Sequence, residues 1–165
     1  MLGEREVVRS VVRELNRTWS RRTDVYFEVA GWEEVPSGIG SDPQEVVNRY
    51  IGGDYDVFLG LMGGRLGSPT IRAVSGTVEE YELALSRSQL NPSIELKFYF
   101  KNVDATSVDA SHVASVEEFK GRLTRDGVYY RFFENDSGLA LMLRDDLGKT
   151  MQAWESRLGA RESGA

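Results

Sequence analysis

The side chains whose types and spacing suit chemistry concentrate in the first half of this sequence. The run Ser75-Gly76-Thr77-Val78-Glu79-Glu80-Tyr81-Glu82-Leu83-Ala84 opens a predicted helix with a Gly-Thr pair and places three acids in its first turns. At about 100° per residue, Val78, Tyr81, Ala84 and Leu85 share one apolar arc. Glu79 and Glu82 are then expected to face water. Glu80 falls at the edge of the arc, where a carboxylate is partly desolvated yet still reaches a crevice. Partial desolvation is how a carboxylate becomes a tuned base or nucleophile. Thr77-x-x-Glu80 is equally the spacing of a capping box, in which the glutamate folds back onto the helix start. Spacing alone leaves both readings open.

Ahead of that helix lies the loop Gly63-Gly64-Arg65-Leu66-Gly67-Ser68-Pro69-Thr70. Its glycines let a ligand approach the main chain, and Arg65 can pair with a phosphate through two parallel hydrogen bonds. The spacing matches neither a P-loop nor a dinucleotide-binding fingerprint, and glycines after a strand also serve simply to turn the chain. Trp32 follows an earlier predicted strand, where an indole either stacks on a flat ring or covers the end of the core. The adjacent Glu33-Glu34 pair lacks neighbours at ligand spacing and is expected to be solvated.

The rest of the composition narrows the chemistry. With no cysteine among the 165 residues, disulfides, thiolate metal sites and a cysteine nucleophile are excluded. The single histidine, His112, stands in a polar stretch and is expected to be a plain loop residue. A serine–histidine hydrolase would need it as base, and a zinc site would normally use more than one imidazole. Any catalysis therefore falls to carboxylates. A net charge of −6 argues against a nucleic-acid surface. No apolar run approaches the roughly 20 residues of a membrane span, and Met1–Val8 lacks the apolar stretch of a signal peptide. A cytoplasmic protein is the expectation.

The elements that must position these residues alternate between helix and strand. Val7, Val8, Val11, Val12 and Leu15 recur at helical spacing over 4–18. Residues 24–29 are predicted as a strand, and Asp42-Pro43-Gln44-Glu45 announces a helix ended by Gly52-Gly53. Strands follow at 55–61, 94–100 and 128–133, with helices over 77–88 and 115–125 between them. The clean alternation of 94–100 predicts one less covered sheet face. Leu143, Leu147, Met151, Trp154 and Leu158 line a long last helix. One domain over 1–158 is expected, followed by a polar, frayed tail over 159–165. Such alternation builds an α/β fold, a parallel sheet with helices on both faces. In these folds ligands sit beyond the carboxyl ends of the strands, here the segments 31–34, 63–76, 101–104 and 134–136.

Several blocks then occur in a telling order: Trp32-Glu33-Glu34-Val35-Pro36; Asp42-Pro43-Gln44 with Asn48; Tyr55-Asp56-Val57-Phe58-Leu59-Gly60; Arg65-Leu66-Gly67-Ser68-Pro69-Thr70; and Ser75-Gly76-Thr77-x-x-Glu80. From about Glu4 to Trp154 the chain resembles the TIR-like domains, often described only as a domain of unknown function, at the N-termini of bacterial NTPase and defence proteins. More distantly, Gly76-Thr77-Val78-Glu79-Glu80-Tyr81-Glu82-Leu83-Ala84 is similar to the segment of nucleoside 2-deoxyribosyltransferases that carries the glutamate nucleophile, which falls on Glu80. In the transferases an acid often precedes Ser-Gly-Thr, whereas Ala73 and Val74 stand here. These families also open with a strand ahead of the first helix, and this sequence opens at that helix. Strands at 24–29 and 55–61 are therefore expected to flank an open position in the sheet.

The resemblance implies a flavodoxin-like (TIR-like) domain that cleaves the nicotinamide–ribose bond of NAD or a related nucleotide, in bacterial defence or signalling. It places the catalytic carboxylate at Glu80 and a substrate pocket at Trp32, Gly63, Gly64, Arg65 and Thr77. NAD would be substrate, with no metal and no cofactor, and self-association is expected. The alternatives are a non-catalytic interaction or oligomerisation module, and a sensor that binds a nucleotide signal through the glycine loop and Arg65 without using Glu80.

Overall fold

The computed structural model describes residues 2–19, 23, 25–31, 55–66 and 75–163. The predicted helix over 42–51, Trp32, Glu33, Glu34 and the loop residues 67–74 lie outside the described residues. In order, the elements are α1 (Leu2–Trp19), β1 (Val57–Met62), α2 (Gly76–Leu90), β2 (Glu95–Lys101), a 3₁₀ turn (Ala105–Ser107), α3 (Ala110–Arg125), β3 (Tyr130–Phe133) and α4 (Asp136–Ser163). The class is α/β with a parallel sheet, consistent with a flavodoxin-like fold. Among the described residues the sheet has the order β1-β2-β3. No described helix is long and apolar enough to cross a membrane. By its contacts the chain divides into two compact units, residues 30–133 and residues 1–29 with 134–165.

Residues 30–133 hold the sheet. Parallel register pairs Gly60 with Phe98 and Met62 with Phe100, and Phe100 with Phe132. Phe98 and Phe100 point to one face, where they form a buried cluster with Val78 and Tyr81 of α2 and Val116, Phe119 and Leu123 of α3. The aromatic rings meet edge to face, Tyr81 on Phe98 at 5.6 Å and Tyr81 on Phe119 at 5.4 Å, the arrangement that ring quadrupoles favour. Gly60 is needed because a Cβ there would overlap the Phe98 ring. The expectation of a less covered face on β2 fails for its carboxyl half: Phe98, Tyr99 and Phe100 are all buried. Alternation in type does not reveal that consecutive aromatics are covered on both sides.

Helix α3 begins earlier than its sequence suggests. Asp109 is the N-cap, its carboxylate accepting from Ser111 N–H at 2.8 Å, so the expected Ser115 start is already a full turn inside. His112 consequently sits exposed in the first turn of a helix, not in a loop. The helix ends on Gly127 at φ 76°, with Val128 N–H donating to Leu123 O and Gly127 N–H to Thr124 O. Those bonds satisfy the last carbonyls and turn the chain into β3.

The second unit pairs α1 with α4. Val8, Val11, Val12 and Leu15 are buried on the first, as expected, and Leu139, Leu143, Leu147 and Met151 on the second; of the stripe expected there, Trp154 is half-buried against the Phe27 ring and Leu158 is exposed. Helix α4 continues past Gly159 to Ser163. The predicted strand at 24–29 is corrected: residues 25–31 carry no strand. Both backbone groups of Phe27 are taken by the Asn16 carboxamide, which donates to Phe27 O and accepts from Phe27 N–H, each at 2.8 Å. One side chain thus replaces the strand partner that this apolar run would otherwise need. Of the two strands expected to flank an open position, only the one at 55–61 forms, as β1, and it has β2 as its one sheet neighbour among the described residues.

Candidate functional site

The helix that carries the three acids starts one step earlier than the Thr77 cap requires. Ser75, fully buried and extended, is the N-cap of α2, and its hydroxyl accepts from Val78 N–H at 3.2 Å. Thr77 lies inside the helix. In a capping box the residue three places after the cap reaches back to it, and that residue is Val78. The capping-box reading of Glu80 is thereby removed.

The three acids differ in exposure. Glu82 faces solvent and accepts from Arg122 at 2.7 Å, as the helical phase predicts. Glu79 does not: it is 4 % exposed. The apolar arc of Val78, Tyr81 and Ala84 is buried too, so α2 is covered on two sides. Helical phase locates the side facing the sheet but is blind to a second cover. Glu80 is half-buried between them. Among the described residues, no three His, Cys, Asp or Glu side chains are grouped to hold a metal.

A separate concavity of about 120 Å³ opens at the carboxyl ends of β1 and β2. Its wall includes Gly63 and Gly64, Lys101 at the end of β2 with Asn102 and Val103 after it, and Val113, Val116, Glu117 and Lys120 of α3. Gly64 is where the two loops touch: a Cβ there would stand 2.8 Å from one Val108 methyl and 3.1 Å from a Val103 methyl. Branched valines cannot swing aside cheaply, so glycine is required for this close approach. Lys120 bonds Glu117 at 2.7 Å, and its ammonium lies 5.2 Å from the Phe100 ring and 4.9 Å from the Phe132 ring, a cation–π placement.

Of the residues singled out from sequence, Gly63 and Gly64 line this concavity. Arg65 is exposed beside it in sequence, and Arg65, Thr77 and Glu80 are not among its lining residues. Trp32 lies outside the described residues. Lys101 and Lys120 were not singled out from sequence. Lys101 ends β2, within a stretch the topology marks for ligands, but Lys120 follows Glu117-Glu118-Phe119 and looks like part of a solvated helix face. Its only sequence signal is that Val116, Phe119 and Leu123 place it at the border of the buried stripe.

A family model described as "Domain of unknown function (DUF4062)" matches residues 1–148. Comparison with curated proteins and with solved structures finds no match.

Proposed function

The chain belongs to the DUF4062 family, a family of unknown function, and from that premise we propose that it cleaves the nicotinamide–ribose bond of NAD or a related nucleotide, with Glu80 as the acting carboxylate. The observation that carries this reading is the cap: with Ser75 closing α2, Glu80 is not explained by helix capping, and it is half-buried. The resemblance of Gly76–Ala84 to a glutamate-bearing helix of N-glycosidic enzymes supports the same residue.

The chemistry asks for little more. The C1′–N bond breaks with its electron pair going to nicotinamide, which leaves neutral. Positive charge develops on the sugar, and a carboxylate beside C1′ stabilises or traps it. Water then adds at C1′ and releases a proton, giving ADP-ribose, with no change of oxidation state. Trp32, Gly63, Gly64, Arg65 and Thr77 are the proposed substrate contacts. The test is to incubate the full chain with NAD at high protein concentration, since TIR-like domains self-associate, and identify products by mass spectrometry. Nicotinamide and ADP-ribose in equal amounts are expected; intact NAD at every concentration counts against the activity.

A second reading, a sensor that binds a nucleotide signal without turnover, is favoured by one feature: the concavity that Gly63 and Gly64 line does not include Glu80. It predicts NAD or nucleotide binding with no products.

A further inference from the structure

We draw no further inference here: the strongest candidate, the aromatic patch that Tyr129 and Phe132 expose at strand β3, carries nothing because nothing in the structure shows what covers it.

Discussion

The Tyr81 ring is buried between Phe98 and Phe119, yet its hydroxyl reaches the edge of the core and donates to Asp126 Oδ2 at 2.6 Å. Arg122 closes the same corner, bonding Glu82 at 2.7 Å and lying 5.5 Å over the Tyr81 ring. This clasp ties α2 to the end of α3. Burial first, and the Asp126 carboxylate second, push the Tyr81 phenol well above its ordinary value. A raised folded-state pKa stabilises below the unfolded value and is lost as pH rises, because the unfolded chain gives up its proton near pH 10 while the folded one keeps it. Tyr81→Phe should cost about 1–2 kcal/mol at neutral pH, measured by urea unfolding. Wild type should also lose more stability than the variant between neutral pH and pH values above about 10; parallel profiles would contradict this account of the clasp.

At the scale of elements, what could be read in advance was whatever depends on periodicity. The stripes of α1 and α4 and the strands β1, β2 and β3 come from spacing that local physics imposes. What could not be read came from single distant side chains. Residues 25–29 have strand composition, but Asn16, eleven positions away, bonds Phe27 on both sides. Nothing local to 24–29 announces that. Asn16→Ala should leave these two backbone groups to find water or stay unpaired, lowering stability by about 1–3 kcal/mol. In urea the midpoint should fall with the slope unchanged; an unchanged midpoint would show that the pair holds nothing. The start of α3 at Asp109 was hidden for a different, local reason: Asp109-x-Ser111 and Ser115-x-x-Glu118 are both cap spacings, and the structure uses the first.

For the molecule as a whole, the α/β class and the helix bearing Glu80 were legible, as was the position of a glycine loop after β1. The burial of Glu79 and the presence of Lys101 and Lys120 in the wall of one concavity with Gly63 and Gly64 were not, because each depends on which elements pack together. The Ser75 cap was missed for a subtler reason: Ser75, Gly76 and Thr77 offer two neighbouring caps, and burial of Ser75 selects one. That selection removes the Thr77 capping box as the role of Glu80. The central claim is tested most directly by the rate of nicotinamide release from NAD by Glu80→Gln relative to wild type. Glu82→Gln, at an exposed acid on the same helix, serves as the control, with unfolding midpoints measured for all three. Glutamine keeps the size and hydrogen bonding of glutamate but not the charge that meets a developing oxocarbenium ion. The account predicts a fall of roughly 100-fold or more for Glu80→Gln, with the fold intact and Glu82→Gln near wild type. Equal release by wild type and Glu80→Gln, above a protein-free control, would contradict it.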